Sequence, residues 1–159
     1  MSAPWQIVGI FCDDIRQEAQ NRVSLMGIWP DNLNVSQIPG ALPRLGIYVR
    51  CHLNVDAKIK SFGLTIRFPC GETEVFPSDF NEERIQQAQD NSKAKGAMHA
   101  GLLFSAVMMN VQIKTAGRFE LIASVDGQEI VCGALNILLR PPATTSASAQ
   151  PPSQSPSAS

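Results

Sequence analysis

The sequence predicts an all-β domain: an antiparallel β-sandwich of about eight strands, with at most one short surface helix and a disordered C-terminal tail. Three observations carry that expectation. Long stretches alternate apolar and polar residues with period two, the mark of strands with one buried face. Turn signals separate them at short intervals. Only one segment reads as helix, so many short strands and a single helix point to a sandwich, with a small barrel as the alternative.

The clearest strand is "RLGIYVRCHLNV", in which Leu45, Ile47, Val49, Cys51, Leu53 and Val55 share one face. The other face carries Arg44, Gly46, Tyr48, Arg50, His52 and Asn54. "FGLTIRFP" repeats the pattern with Phe62, Leu64, Ile66 and Phe68 inward. "GRFELIASVDGQEIVCGALNILL" reads as a hairpin, with Phe119, Leu121, Ala123 and Val125 on one face and Asp126-Gly127 as a type I′ turn. "WQIVGIFC" and "VSLMGIW" are apolar on both faces, as central or doubly covered strands would be. "NLNVSQI" is a short candidate strand. "LLFSAVMMNVQI" is assigned to strand by the alternation of Leu103, Ser105, Val107, Met109 and Val111. Prolines in "IPGALP" and "PRLG" are expected at strand boundaries, where they break no ladder. "PSDFNEERIQQAQDNSKAKG" is the helix, with Asp79 and Glu82 at capping-box spacing, a thin apolar face of Phe80, Ile85 and Ala88, and Gly96 as its stop.

The chain has 159 residues, of which 44% are hydrophobic and 17% charged, enough for one domain with a core that needs no metal or disulfide. Residues 3–140 are expected to fold. Residues 141–159 hold five of the eleven prolines and no charge, so they are expected to be a disordered Pro/Ser/Ala-rich tail. A net charge of −1 gives no pull toward nucleic acid or an anionic membrane. No apolar run reaches the length of a membrane span, and the N-terminus lacks the basic region of a signal peptide, so a cytoplasmic location is expected.

Candidate chemistry is sparse. Cys12, Cys51, Cys70 and Cys132 are scattered and read as reduced, mostly buried thiols. His52 and His99 neighbour no cysteine pair, so no metal or other cofactor is expected. No phosphate-binding loop and no G-x-S-x-G is present. The adjacent carboxylates Asp13 and Asp14 stand where an apolar run stops. One is expected to cap a turn and the other to pair with Arg16; Ca²⁺ binding is the sharper alternative. His52 on an alternating strand faces away from Cys51, which disfavours a Cys–His dyad. The lysines of "KAKGAMHAG" are expected to lie in a solvated loop. If the strands bearing Arg50 and Arg67 pair, then Tyr48, Arg50, His52 and Arg67 form a basic stripe suited to a partner or an anion.

The stretch "GIFCDDIRQEAQNRVSLMGIW" followed by "LPRLGIYVRCHL" resembles a bacterial and phage-associated family of small proteins of unknown function. Its members read A-L-F-C-D-D-[IV]-R-x-E, then Lys-x-[ST]-L-[IM]-G-[VI], then L-P-[KR]-L. The resemblance covers the first third well, and "GRFELIASVDGQEI" resembles the family's closing elements. Asn21-Arg22 stands where Gly-Lys is expected. The resemblance implies a compact β-sandwich and makes Asp13, Asp14, Arg16 and Glu18 a signature loop, with no catalytic role or cofactor to carry over. The leading functional expectation is a non-catalytic module that binds a protein partner or its own copy. A ligand- or ion-binding domain and an enzyme using the carboxylates with His52 are the alternatives.

Overall fold

In the computed structural model, which describes residues 3–77 and 80–140, alternation has become two facing sheets. The strands are β1 (Trp5–Gln17), β2 (Val23–Trp29), β3 (Asn32–Val35), β4 (Gly40–Asn54), β5 (Phe62–Arg67), β6 (Thr73–Phe76), β7 (His99–Ile113), β8 (Gly117–Val125) and β9 (Gln128–Leu139). One helix, α1 (Glu82–Ala94), falls between β6 and β7. Sheet A has the order β2-β1-β4-β7 and sheet B the order β3-β9-β8-β5-β6. Among the described residues all pairings are antiparallel except β3 with β9. The architecture is therefore the expected sandwich, with nine strands among the described residues; β6 was not anticipated.

The inward faces of β4, β5 and β8 are those the period-two pattern assigned. Leu45, Ile47, Leu53, Leu64, Ile66, Phe119 and Leu121 are fully buried between the sheets. Phe119 lies at the centre, its ring 6.4 Å from that of Phe11 and 5.5 Å from that of Phe68. β8 and β9 turn at Asp126-Gly127, both with positive φ (49° and 81°), as a type I′ turn requires.

Asp126 also holds the neighbouring chain. Its Oδ1 accepts from the backbone N–H groups of Lys60 and Ser61, each at 2.9 Å. Those two bonds push the carboxyl below its ordinary range. A carboxyl depressed in the folded state contributes stability that is present above the unfolded pKa of about 3.9 and lost as pH falls through the folded value. In acid titrations followed by circular dichroism, Asp126→Asn should therefore flatten the low-pH loss of stability while leaving the neutral-pH fold intact.

Several expectations are corrected. β1 does not stop at Asp13 and Asp14; it runs to Gln17 and turns into β2 through Glu18–Arg22, where Glu18 N–H donates to the Arg22 carbonyl at 2.8 Å. Gln20 and Asn21 take positive φ there, so Asn21 occupies a left-handed position that a glycine would also suit. β2 is an edge strand, not a covered one, and its Met26 and Ile28 are exposed. Pro43 lies within β4 rather than at its boundary. Opposite it in β7, Asn110 adopts φ 52°. The inward faces of both strands change phase at this point: Leu45 and Leu42 point inward on either side of it in β4, and Met108 and Val111 do so in β7. As a result Leu103, Val107 and Met109 face outward, while Leu102, Phe104, Ala106 and Met108 pack inward, and Val111, alternating with the first set in sequence, is buried.

The helix starts at Glu82, and its N-cap is Asn81, whose side chain accepts from Arg84 N–H. The expected cap Asp79 lies outside the described residues. Gly96, with φ 74°, ends the helix: its N–H bonds to Lys93 and that of Ala97 to Ser92, a Schellman motif. Ile85 is buried, and buried Gln89 donates from Nε2 to the carbonyls of Asn54 and Ala57, both at 2.8 Å. α1 thus closes one end of the core rather than lying loosely on it. The tail, residues 141–159, falls outside the described residues.

β1 and β9 cross between the sheets at two glycines. A Cβ on Gly133 would lie 2.7 Å from the Gly9 carbonyl oxygen, so only glycine permits this approach. β9 bulges beside it: Leu121 pairs with Gly133 and Ile122 with Val131, which leaves Cys132 as the extra residue.

Candidate functional site on the outer face of the four-stranded sheet

β4 and β5 do not pair, because the chain crosses from sheet A to sheet B between them. The proposed basic stripe is therefore split. Arg67 lies in sheet B, bound to Glu120 at 2.8 Å, while Tyr48, Arg50 and His52 remain together on the outer face of sheet A. An anion site using Arg50 and Arg67 is not assembled.

What the outer face of sheet A carries follows from its register. Ile28, Cys12, Gly46 and Val107 form one row across β2, β1, β4 and β7. The next row is Ile10, Tyr48 and Ser105; the third is Val8, Arg50 and Leu103; the last is Gln6, His52 and Gly101. Ile28, Val8, Leu103 and Val107 are 55%, 50%, 44% and 36% exposed, and Ile10 and Tyr48 are half-buried. Cys12 and Gly46 are buried within the face; a Cβ on Gly46 would meet Cys12 Sγ at 2.6 Å and Ile15 Cγ1 at 3.2 Å. The rows contain no carboxylate. Arg50 makes no ion pair among the described residues. At the His52 end the face opens onto a cleft of about 530 Å³ lined by Pro4, Trp5, Gln6, Asn54 and His99. Sequence reasoning found the polar end of this face and missed its apolar body. The signal was present in Val8 and Ile10 of β1 and in Leu103 and Val107 of β7, but alternation alone does not say which of two apolar faces looks outward.

The signature residues are strand residues at the margin of the face. Neither role expected of the pair is met: Asp14 lies inside β1, not at a turn, and its cation is not Arg16. Its Oδ1 accepts from Ile15 N–H at 3.0 Å, and its Oδ2 binds Arg44, not Arg16, at 3.1 Å. The Asp13 carboxylate lies over Gly27 (φ 61°) and leaves no room there for a side chain. Arg16 pairs in register with Ser24, and Glu18 opens the hairpin turn. Among the described residues, no three His, Cys, Asp or Glu side chains converge on a point where a metal ion would sit.

A family model described as a family of unknown function, DUF6941, matches residues 7–138. The chain belongs to that family. Neither the curated proteins nor the solved structures yield a match. The DUF6941 match runs from β1 to β9 and so takes in both sheets and α1.

Three of the four thiols of this DUF6941 chain are held in their unreactive form. Burial pushes Cys51 up to about 12 and Cys132 up to about 11, and raises Cys12, which also neighbours Asp13 and Asp14. Only Cys70 is exposed. Because the thiolate is the nucleophile, a native-state titration with a thiol reagent should label Cys70 rapidly and the other three only on unfolding. His52 stands between Gln6 and Gly101 on its face, and Cys51 points into the core, so the strand presents no Cys–His dyad. No helix among the described residues is long and apolar enough to cross a membrane.

Proposed function

We propose that this DUF6941 chain is a non-catalytic binding module that docks a protein partner on the outer face of sheet A, with Tyr48, Arg50 and His52 along one part of that surface. One observation carries the reading. A sandwich whose core is already complete between its sheets leaves a second apolar face, Ile28, Ile10, Val8, Leu103 and Val107, open on the outside of one sheet. Scattered exposed apolar residues need no explanation, but a contiguous patch of this kind marks an interaction surface. Aromatic residues and arginine are favoured where such interfaces carry most of their energy, which suits Tyr48 and Arg50. A single cation in the rows fits a protein better than nucleic acid, whose binding rests on many phosphate contacts, and better than a membrane surface, which is met by lysine- and arginine-rich faces. A cytoplasmic, phage- or prophage-associated setting fits the resemblance of the first third.

The test is capture from the native host lysate with wild type, a Val8→Glu/Leu103→Glu variant and a Val75→Glu control, since Val75 is exposed on sheet B. The reading expects proteins held by wild type and the control and lost from the double variant. Identical capture by all three would remove the face from consideration.

A further inference from the structure

We infer that His52 and His99 form a binding site for a divalent first-row transition metal ion, in the cleft at the Gln6–His52–Gly101 end of sheet A. The inference stands apart from the docking reading. Convergence is the first argument. The chain has two histidines, and the fold brings both to one cleft of about 530 Å³. Register explains how. In β4, Cys51 and Leu53 are buried, so His52 and Asn54 point outward. In β7, Ala100 and Leu102 are buried, so His99 and Gly101 point outward on the same face. His52 pairs with Gly101 and Asn54 with His99, which sets the two imidazoles diagonally across neighbouring strands. Diagonal neighbours stand about 7–8 Å apart, within reach of long and ring side chains. Two imidazoles leaning toward each other close that gap on one ion, with metal–nitrogen bonds of about 2.0–2.1 Å. Gly101 keeps the space beside His52 clear: a Cβ there would meet nothing within 4 Å.

Chemistry is the second argument. Neither histidine makes a hydrogen bond or an ion pair among the described residues, so their ring nitrogens are available to a ligand. Gln6 faces His52 from β1 and adds an amide oxygen to the same cleft. The Asn54 oxygen is already engaged, accepting from Asp56 N–H at 2.9 Å. Imidazole suits Zn²⁺, Ni²⁺ and Cu²⁺, whereas Ca²⁺ and Mg²⁺ demand a shell of oxygens that this cleft does not offer. The volume leaves room for water on the ion's remaining positions. An anion fits less well. Arg50, two residues before His52, is not among the residues that line the cleft, so no permanent cation faces it. The ion ties the start of edge strand β7 to β4, so binding stabilises the folded chain by linkage.

Calorimetric titration of the full, untagged chain with Ni²⁺, in a buffer that does not chelate, tests this. Wild type should bind one ion per chain, and both Ni²⁺ and Zn²⁺ should raise its melting temperature. His52→Ala and His99→Ala should each weaken Ni²⁺ binding by at least about 10–100-fold, the loss seen when even an outer-shell partner of a metal is removed. Cys70→Ser should bind as wild type does, which separates the site from the exposed thiol. Should the alanine variants fail to fold, Gly101→His decides the matter. It places a third imidazole directly opposite His52 and should bind Ni²⁺ more tightly than wild type; unchanged affinity overturns the inference. So does a wild type that takes up neither Ni²⁺ nor Zn²⁺, or a folded alanine variant that binds at full strength. A chain that binds inorganic phosphate through these histidines and ignores both metals also overturns it. None of these outcomes touches the docking reading, which is decided by capture with Val8→Glu/Leu103→Glu.

Discussion

Truncating Phe119 to alanine should lower the stability of the fold by about 3–5 kcal/mol, the range for losing a fully buried aromatic ring. The residue has no exposed surface, and its ring touches those of Phe11 from sheet A and Phe68 beyond β5. It therefore couples both sheets, and neither neighbour can collapse into the space without leaving its own packing. Against a total stability of typically 5–15 kcal/mol, that loss would consume much of the margin. Urea unfolding checks it: the midpoint should fall sharply with the slope unchanged. Phe119→Leu should lose markedly less. Equal effects of the two substitutions would show that the site is not packed as described.

The second large effect belongs to a residue without a side chain. Gly133→Ala should destabilise by on the order of 3 kcal/mol, the upper part of the range for overpacking. The added methyl would stand 2.7 Å from the oxygen and 2.9 Å from the carbon of the Gly9 carbonyl, both backbone atoms that cannot rotate away. The sheets would have to part. Gly9→Ala, by contrast, meets Leu121 Cδ1 at 3.0 Å and Cys132 Sγ at 3.2 Å, and Leu121 can give way in part, so its effect should be smaller. Gly101→Ala has nothing within 4 Å and serves as a neutral control. Thermal unfolding of the three variants should rank them in that order; a tolerated Gly133→Ala would mean that the two strands do not cross this closely.

Much of the fold was legible because period-two alternation reports directly which side chains are buried. It named the inward residues of β4, β5 and β8 correctly. It did not report which strands pair, because a strand's pattern holds no record of its neighbour. Arg50 and Arg67 were therefore placed together although they lie in different sheets. Alternation also fails where the backbone changes phase. Asn110 takes a left-handed conformation opposite Pro43, so the single alternating set Leu103, Ser105, Val107, Met109 and Val111 does not keep one face: Leu103 and Val107 are outward and Val111 is inward. The signature carboxylates read as turn chemistry but lie within β1, and the cation that meets Asp14 is Arg44, thirty positions along the chain and invisible to local reasoning. Gln89 illustrates the same limit: a polar residue on a thin helix gave no hint that it would be buried and bonded to two carbonyls.

The parallel pairing of β3 with β9 has a consequence for how the chain is made. β3 pairs only with β9, and the two are 104 positions apart where Asn32 meets Asn136. At the 5–20 residues per second of synthesis, β3 must wait about 5–20 s for its partner to leave the ribosome. During that interval Leu33, buried in the finished protein, has no strand beside it. Sheet A needs only residues up to Ile113, so it can assemble earlier and present its inner face before sheet B is complete. The order of emergence makes the nascent chain most vulnerable to misassociation while β8 and β9 are still being translated.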